Sequence, residues 1–395
     1  MEVILFDGAA HQSLWPLTAT KPVAKLRVGI LTLEEKWDYY LETKVELRTK
    51  DYLSKKFNAN EEASTVGIYA AILPTKQFAK KIKSLPKGQI LMKDGQVLAI
   101  APMPSANADM EKALSGMKVI EYKEALNFVN KPWDIFKHNA EEIEKDFEIV
   151  SATKESMVLD ETNTVLGNRL FVEKGAKVSC ATINTNEGAV YIGKNAEVLE
   201  GVLIRGSLAL CEGAVLKMGA KIYGGTTIGP FSKVGGEVGN SVIQGYSNKG
   251  HDGYLGNSVL GEWCNLGADT NTSNLKNNYG NIKVWDYSQK EMVDTGLQFC
   301  GLIMGDHSKS GINTMFNTGT VVGACSNIFG GGFPDKFIPS FSWGGADGFE
   351  TYNLEKCFDV AEKVMARRNI KFTIEDKEIL SHLFNVTGEL RNNIK

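Results

Sequence analysis

The middle of the chain carries an aliphatic residue at every sixth position. Eight consecutive positions of this spacing hold isoleucine, leucine or valine: Ile192, Val198, Ile204, Leu210, Leu216, Ile222, Ile228 and Val234. A small or apolar residue stands four positions after each of them: Ala196, Val202, Leu208, Ala214, Ala220, Thr226, Ser232 and Val238. A sustained integer period of this kind indicates a repeat architecture.

A solenoid whose coils each have three short flat faces explains a six-residue period. One hexad supplies one face, the aliphatic residue points to the axis, and the small residue lets the chain turn at the next corner. Glycine directly follows three of the aliphatic positions, at Gly193, Gly229 and Gly235, and tolerates the backbone angles that corners demand. The repeat therefore predicts a left-handed parallel β-helix. The alternative, a β-sandwich with regular turns, would not keep one integer period for so long.

The period weakens after Val238 and returns later in the chain. Residues spaced by six reappear as Met304, Ser310, Phe316, Val322 and Ile328. The segment 246–300 between the two runs is rich in Asn, Gly and Asp, and we interpret it as coil interrupted by a long external loop. Loops inserted in a solenoid are frequent sites of function.

The regions on either side of the repeat have different patterns. Residues 1–110 predict an α/β domain, with strands at 3–6 and 67–73, helices at 32–53 and 75–85, and a hairpin at 89–100. Residues 111–155 predict a linker with a helix at 132–148. The β-helix is assigned to residues 156–345. Helices at 353–368 and 374–384 form a C-terminal segment, 346–395.

Composition narrows the class of partner. The chain has 44 basic and 47 acidic residues, a formal charge of −3, so its net charge does not favour nucleic acid or an anionic membrane. No apolar run approaches the ~20 residues needed to span a bilayer, and the N-terminus lacks the basic start of a signal peptide. Six scattered cysteines show no CxxC spacing. We therefore expect a cytoplasmic protein whose cysteines act as small buried apolar residues.

One histidine stands in a recognisable motif. Residues 245–257 read Gly-Tyr-Ser-Asn-Lys-Gly-His-Asp-Gly-Tyr-Leu-Gly-Asn, followed by Asn-Leu-Gly-Ala-Asp-Thr at 265–270 and Ser-Asn-Leu-Lys at 273–276. This resembles the acetyltransferase half of the bifunctional N-acetylglucosamine-1-phosphate uridyltransferases. There, a Lys-x-Gly-His-x-x-Tyr-Leu-Gly-Asp run precedes Asn-Ile-Gly-Ala-Gly-Thr and an Asn-Tyr-Asp-Gly loop. The whole chain looks like a shorter relative of that family.

The resemblance implies roles for six residues. His251 matches the catalytic base, and Tyr254 and Asn265 match sugar-phosphate-binding residues. Ala268 and Asn274 match residues that line the acetyl-CoA or sugar site. Lys249 is taken as the family's lysine, with a substrate-binding role. The resemblance also implies acetyl-CoA as cosubstrate, an amino-sugar phosphate or nucleotide sugar as acceptor, and a homotrimer with active sites between subunits.

The chemistry of these residue types agrees with the assignment. An amine that attacks a thioester must lose a proton, and an imidazole, with an unperturbed pKa of ~6.5, can accept it near neutral pH. The tetrahedral oxyanion needs fixed donors, which backbone N–H groups of a rigid coil or an Asn amide can supply. A thioester is already activated, so this step requires no metal. In the alternative interpretation, His251 belongs to a surface turn with no chemistry.

The motif departs from the family pattern at several positions. Asn257 replaces its Asp, Asp269 replaces a Gly, and residues 275–276 replace Tyr-Asp. The basic residues that hold the sugar phosphate in the family have no clean match, and Lys221 and Lys233 are the available substitutes. These departures leave open an acceptor other than glucosamine 1-phosphate.

A second motif follows the first predicted strand. Residues 8–18, Gly-Ala-Ala-His-Gln-Ser-Leu-Trp-Pro-Leu-Thr, resemble the Gly-Gly-x-Gly-Thr-Arg-Leu-x-Pro-Leu-Thr loop of sugar nucleotidyltransferases, which wraps and neutralises a triphosphate. The resemblance implies that residues 1–110 form a truncated nucleotidyltransferase-like α/β domain of Rossmann type. It also implies nucleotide-binding roles for Gly8, Lys21, Lys25 and Arg27, with UTP as substrate and Mg²⁺ as its metal. Asp7 is the one candidate substitute for the family's metal ligands. Because much of the loop is replaced, an active uridyltransferase and a domain that only binds a nucleotide sugar or scaffolds remain equal alternatives.

Two other classes compete with the acyltransferase. A β-helix zinc enzyme of the carbonic anhydrase type needs three histidines around one metal, and His251 and His307 have no third partner near them in the sequence. An assembly scaffold would have no need of His251 together with Tyr254 and Asn265.

The remaining histidines suggest no second catalytic centre. His307, at a hexad corner, is interpreted as structural, and His11, His138 and His382 as surface residues. The sequence therefore predicts an acyl-CoA-dependent N-acyltransferase on the β-helix. Sugar-1-phosphate nucleotidyltransferase activity in the N-terminal domain stays an open question.

Overall fold

A column of inward-pointing aliphatic side chains runs through the middle of the protein. The computed structural model describes residues 1–152 and 154–392. All eight residues of the first six-residue series are at most 3% exposed, and the accompanying small residues are fully buried. The later series, from Met304 to Ile328, is also buried. The β-helix predicted from the repeat is confirmed.

Three parallel sheets enclose this column, one for each face of the coil. Sheet B contains β7 (Thr164–Leu166), β10 (Thr182–Asn184), β13 (Leu203–Arg205), β16 (Lys221–Ile222), β19 (Glu237–Gly239) and β22 (Tyr254–Gly256). Sheet C contains β8 (Leu170–Val172), β11 (Val190–Ile192), β14 (Leu208–Leu210), β17 (Thr226–Ile228), β20 (Val242–Gly245), β23 (Val259–Glu262), β28 (Ile303–Met304), β31 (Val321–Val322) and β33 (Phe337–Ile338). Sheet D contains β9 (Lys177–Val178), β12 (Glu197–Val198), β15 (Val215–Leu216), β18 (Lys233–Val234), β21 (Asn248–Lys249), β24 (Asn265–Leu266), β29 (Lys309–Ser310), β32 (Asn327–Ile328), β34 (Ser342–Gly345) and the antiparallel β35 (Gly348–Thr351). Successive hexads therefore lie on successive faces.

The length of a coil changes along the β-helix. Paired residues in neighbouring coils are 20 positions apart for Val178 and Val198, 18 apart for Val198 and Leu216, and only 15 apart for Val234 and Lys249. The shorter coils explain why the six-residue period fades after Val238. Leu260 and Met304, which also pair, are 44 positions apart because an external loop leaves the coil between them.

The external loop has its own secondary structure. It includes the hairpin of β26 (Lys283–Asp286) and β27 (Glu291–Asp294). Two short paired strands, β25 (Asn271–Thr272) and β30 (Met315–Phe316), flank it in the chain. The loop inferred from composition is confirmed as a local insertion.

The N-terminal domain is built on a mixed six-stranded sheet, sheet A. Its strands are β1 (Val3–Phe6), β2 (Glu46–Arg48), β3 (Val66–Tyr69), β4 (Gln89–Lys93), β5 (Gln96–Ala101) and β6 (Lys118–Glu121), in the order β2-β1-β3-β5-β4-β6. Its helices are α1 (Ala10–Ser13), α2 (Leu33–Leu41), α3 (Asp51–Phe57), α4 (Lys76–Lys83) and α5 (Met110–Leu114), and a 3-10 turn covers Val23–Lys25. The long helix α6 (Pro132–Ser151) follows the domain. Because β6 pairs with β4, the α/β domain extends past residue 110 into the stretch interpreted as linker.

The single helix predicted for residues 32–53 is wrong. Helix α2 ends at Leu41, and its C-cap residue Glu42 adopts a left-handed backbone with φ 57°. Strand β2 follows and pairs with β1, burying Val45 and Leu47 against the core. Burial at the edge of sheet A therefore overrides the helical pattern of the sequence, and α3 begins only at Asp51.

The N-terminal domain and α6 cover sheet C. Asn139 of α6 donates hydrogen bonds to the carbonyl of Gly225 (2.8 Å) and the hydroxyl of Thr227 (3.0 Å), and it accepts one from the N–H of Gly29 (2.7 Å). Gln244 of β20 accepts from the N–H of Arg27 (2.7 Å) and donates to its carbonyl (3.1 Å). These contacts join the loop after the 3-10 turn to both α6 and the coil.

The C-terminal helices complete the molecule. Helices α7 (Leu354–Ala366), α8 (Ile374–Val386) and α9 (Gly388–Asn392) follow the last coil. Helix α8 returns to α3, where Lys56 pairs with Asp376 and Tyr52 stacks on His382 with ring centroids 4.1 Å apart. Residue 153 of the predicted linker and residues 393–395 of the predicted C-terminal segment lie outside the described residues.

Leu216→Asp tests the coil core. Leu216 is fully buried, so the variant would place an unpaired carboxylate on the axis, and we expect it not to fold. Met218→Asp, two residues later at a position 69% exposed, is the matched control and should melt like the wild type. Circular dichroism and thermal unfolding compare the two. A cooperative, wild-type melt of Leu216→Asp would contradict the assignment.

Candidate functional site

The predicted catalytic histidine lies on a corner of the coil. His251 is exposed on the turn 250–253, which joins β21 of sheet D to β22 of sheet B. Neighbouring coils hold this turn on both sides. The N–H of Asp269 donates to the carbonyl of Asp252 (3.0 Å), and the N–H of Glu237 donates to the carbonyl of Gly253 (3.2 Å). We call residues 250–253 the His251 turn.

A groove of about 470 Å³ runs past the His251 turn along the coil axis. Residues from successive coils line it, including Lys217, Gly235, Gly236, His251, Asp252, Ala268 and Asp269. We call it the corner groove. Of the residues predicted from the family, it brings together His251 and Ala268.

Tyr254 and Asn274 form a hydrogen-bonded pair beside the turn. The amide nitrogen of Asn274 donates to the hydroxyl oxygen of Tyr254 (3.0 Å) and to the side-chain oxygen of Asn257 (2.8 Å). The N–H of Tyr254 donates to Asn271 (2.9 Å). Since the Tyr254 hydroxyl accepts from Asn274, its own hydrogen can point to a ligand. Burial raises the pKa of Tyr254, so the hydroxyl keeps that hydrogen near neutral pH.

Asn265 and Lys249 lie on sheet D. Asn265 is exposed on β24, where it pairs with Asn248 of the preceding coil. Lys249 is buried and does not line the corner groove. The family's lysine stands three residues before its histidine, a position that Asn248 holds here, so the match of Lys249 to that lysine is displaced by one residue. Because strand residues alternate between faces, this shift turns Lys249 inward.

The proposed substitutes for the phosphate-binding cations lie on neighbouring strands. Lys221 of β16 is exposed on sheet B and pairs with Glu237. Lys233 of β18 pairs with Asn248 on sheet D. Neither lines the corner groove, so a phosphate role for them stays a prediction.

Lys21 is buried between the N-terminal domain and the coil. Its ammonium lies 2.8 Å from Glu262 and 3.0 Å from Asp306, both residues of the β-helix. Burial alone would lower the pKa of Lys21, but the two carboxylates outweigh it and raise the pKa above its ordinary value. Thr20 also donates to Asp306 (2.6 Å). The predicted nucleotide-binding lysine is therefore engaged in an ion pair between domains.

The other predicted nucleotide-binding residues are spread out. Lys25 pairs with Glu34, and the guanidinium of Arg27 donates to the carbonyl of Ile30 and lies 3.6 Å from Glu35. Lys21 and Lys25 line a cavity of about 240 Å³ between the domains, whereas Arg27 does not. Gly8 follows β1 at the surface and has a left-handed backbone, with φ 52°.

Asp7 does not fit a magnesium site. Its carboxylate is buried and accepts hydrogen bonds from the N–H of Val23 (2.9 Å) and from the Thr49 hydroxyl. Burial raises its pKa to about 7. Within residues 1–152 and 154–392, no three His, Cys, Asp or Glu side chains gather in a metal-binding group.

The remaining histidines differ in environment. His11 was expected at the surface, but it is buried against Tyr52 and Trp15, and burial lowers its pKa to about 3. His382 is exposed, and His138 is half-buried. His307 occupies a coil corner with φ 63° and stacks on Trp263.

Two general expectations can also be compared with the structure. Five of the six cysteines are buried, whereas Cys180 is exposed, and all six are free thiols. In the part of the chain that the structure describes, no helix is long and apolar enough to cross a membrane.

Three site features escaped the sequence interpretation. These are the inward direction of Lys249, the pairing of Lys21 with Glu262 and Asp306, and the carboxylates beside His251. Domain contacts determine the pairing of Lys21, which has no local signal in the sequence. The direction of Lys249 does have one, because Lys249 stands two residues before His251 and the family's lysine stands three residues before its histidine. Asp252 and Asp269 could have been found, because each lies in the motif that identified His251.

The fold and this site define a class of protein: a nucleotidyltransferase-type α/β domain joined to a parallel β-helix that carries a histidine in a corner groove. Residues 3–155, which cover sheet A and α6, match the family of sugar nucleotidyl transferases.

Two relatives with bifunctional names are similar to about half of the chain. The bifunctional sugar-1-phosphate nucleotidylyltransferase/acetyltransferase of Sulfurisphaera tokodaii is 29% identical over 224 residues, which are 56% of this chain and 49% of that protein. The bifunctional protein GlmU of Methanocaldococcus jannaschii is 30% identical over 214 residues, 54% of this chain and 45% of that protein. The chain spans about half the length of these relatives. The resemblance drawn from the motifs is confirmed.

Solved structures with low overall similarity include two acyltransferases. The polysialic-acid-specific acetyltransferase NeuO is 12% identical with a TM-score of 0.28, and the match covers 52% of this chain and all of that one. A variant of AntD, an N-acyltransferase from Bacillus cereus in complex with dTDP and coenzyme A, is 11% identical with a TM-score of 0.23, covering 54% of this chain and all of that one.

Lys21→Met tests the ion pair between domains. The variant leaves Glu262 and Asp306 without their cation. Breaking a buried ion pair in this way costs about 3–5 kcal/mol of unfolding free energy. We expect the lower end of that range because Glu262 is partly exposed. Lys25→Met is the control, since its half-exposed pair should contribute about 0–1 kcal/mol. Urea unfolding measures both free energies. Equal losses of unfolding free energy in the two variants would show that the Lys21 ion pair does not stabilise the contact between the domains.

Proposed function

We propose that the chain is an acyl-CoA-dependent N-acyltransferase whose reaction takes place in the corner groove. One observation carries the proposal: an exposed imidazole, His251, stands on a turn that neighbouring coils fix from both sides, inside a groove lined by residues of successive coils. The motif around His251 and the relatives named as acetyltransferases support it.

His251 would act as the general base. The acceptor's amine nitrogen attacks the thioester carbonyl carbon, and the imidazole takes the proton that this nitrogen loses. When the tetrahedral intermediate collapses, the C–S bond breaks and the imidazolium returns the proton to the departing thiolate. The products are an amide and free CoA, and the histidine is regenerated.

Tyr254 and Asn274 would bind the acceptor. Asn274 uses both amide hydrogens within the protein, which directs the Tyr254 hydroxyl to donate outward. A sugar hydroxyl or a phosphate oxygen can accept that hydrogen. Asn265, exposed on the adjacent coil, is the third binding residue in this proposal.

The substrates follow from the same resemblance. We propose acetyl-CoA as acyl donor, with Ala268 on the wall of its groove, and an amino-sugar phosphate or nucleotide sugar as acceptor. A homotrimer and a cytoplasmic location stay predictions. Half-exposed apolar side chains on sheet B, Leu203 and Tyr223, support self-association there, since the N-terminal domain covers sheet C.

The match to sugar nucleotidyl transferases favours nucleotidyltransferase activity in the N-terminal domain. A domain that only binds a nucleotide sugar, or that scaffolds, is its alternative. The pairing of Lys21, Lys25 and Arg27 with carboxylates favours the alternative, because such cations are already neutralised before a triphosphate arrives.

His251→Ala tests the acyltransferase. Loss of a positioned proton acceptor should lower kcat by about 10²–10⁴. CoA thiol released from acetyl-CoA with candidate amino sugars measures the rate.

Two controls accompany this variant. Its melting temperature, and the rise in that temperature on adding acetyl-CoA, should match the wild type because His251 is exposed. His382→Ala removes an exposed histidine outside the groove and should retain full activity. An unchanged rate in His251→Ala would end the catalytic assignment and favour the scaffold.

Pyrophosphate release tests the N-terminal domain. Incubation with UTP, a sugar 1-phosphate and Mg²⁺ should release pyrophosphate if the domain is active, and Lys25→Ala should reduce that release. We expect no release, because the predicted cations are already paired. If the wild type releases pyrophosphate and Lys25→Ala does not, this expectation is wrong and the domain is an active nucleotidyltransferase.

A further inference from the structure

A lysine stands within the aliphatic column directly beneath the catalytic turn. Lys249 pairs with Val234 in the preceding coil, and its neighbour Asn248 pairs with Asn265, so Leu266 occupies the equivalent position in the next coil. Val234 and Leu266 are buried members of the core, and Lys249 is only 2% exposed. Its side chain therefore fills a position that is aliphatic in both neighbouring coils.

The ammonium of Lys249 reaches the backbone of the histidine. It donates a hydrogen bond to the carbonyl oxygen of His251 at 2.5 Å. Burial lowers the pKa of Lys249 to about 8, and Asp252 and Asp269 act in the opposite direction. Burying a charge is costly, and a methionine would fill this space without that cost. Compared with a methionine, the lysine therefore adds one interaction, the hydrogen bond from its ammonium to the His251 carbonyl.

The same carbonyl is tightly enclosed by the preceding coil. A side chain at Gly236 would place its Cβ 2.9 Å from the His251 oxygen and 2.9 Å from Asp252 Cα. Gly236 thus lets the turn lie close to the preceding coil. The hydrogen bonds from Glu237 and Asp269 hold Gly253 and Asp252, whereas Lys249 holds the peptide of His251 itself.

We propose that Lys249 is a positioning residue for His251. Its ammonium, anchored in the coil core, fixes the His251 carbonyl and with it the direction in which the imidazole enters the corner groove. The catalytic part of this inference rests on the proposed acyltransferase function. Lys249 itself does not contact the groove, so it acts only through the histidine.

Lys249→Met tests the proposal because methionine keeps an unbranched apolar stem and removes the donor. We expect kcat to fall about 10- to 100-fold with little change in KM, the scale on which small misplacement of a catalytic group acts. The melting temperature should stay level or rise. Leu266→Met, a volume-conserving change at the next axial position, is the control and should keep the wild-type kcat.

A double-mutant cycle separates positioning from general damage. If Lys249 acts through His251, adding Lys249→Met to His251→Ala should cause no further loss of rate. An equal fold-loss in both backgrounds would overturn the proposal, as would a wild-type kcat in the single variant.

Hydrogen exchange gives a readout that does not depend on turnover. Amides of the His251 turn should exchange at least several-fold faster in Lys249→Met than in the wild type, while those of β18 stay unchanged. If no acceptor is turned over by the wild type, the proposed function fails, and this exchange still decides whether Lys249 holds the turn. Unchanged exchange would refute that role.

Discussion

Each coil of the β-helix closes around inward side chains that contact the equivalent side chains of the coils before and after it. This contact fixes which residues remain for chemistry. Positions on the axis are committed to packing, so functional groups must come from outward strand positions or from corners. His251 stands on a corner and Tyr254 on an adjacent strand, and both meet that constraint. Lys249 is the exception, since it occupies an axial position and turns a charged atom back to the surface turn.

The column was predictable from the sequence because its signal is local and periodic. Ile192 to Val234 repeat every six residues, and side-chain direction follows from that period alone. The direction of Lys249 was missed because Lys249 was equated with the family's lysine, although it stands one residue closer to the histidine and so lies on the opposite face of the strand. The helix expected at residues 32–53 failed for a related reason: sheet A recruits Glu46–Arg48 by tertiary pairing. The His251 motif located the candidate site, but the partners of Lys21 arise from domain contacts between distant residues.

The N-terminal domain is integrated with the coil rather than tethered to it. Lys21, Asn139 and Gln244 each carry polar contacts across this boundary, and Trp15 packs on Tyr287 of the external loop with ring centroids 5.5 Å apart. Residues in and near the segment that resembles a phosphate loop therefore hold the N-terminal domain against the coil. A domain held in this way would still be needed if it lost its nucleotide chemistry, because the coil depends on it to cover sheet C.

The external loop illustrates how a solenoid can acquire new parts. Each coil interacts chiefly with its neighbours, so residues added at one corner leave the stacking on either side intact. The closure entropy of a loop grows only slowly, by about 0.6 kcal/mol for each doubling of length. The corner that carries β26 and β27 is therefore a place where the fold accepts added residues. Replacing this particular hairpin would also require repacking the core that it shares with the N-terminal domain, because Val284 of β26 is fully buried there.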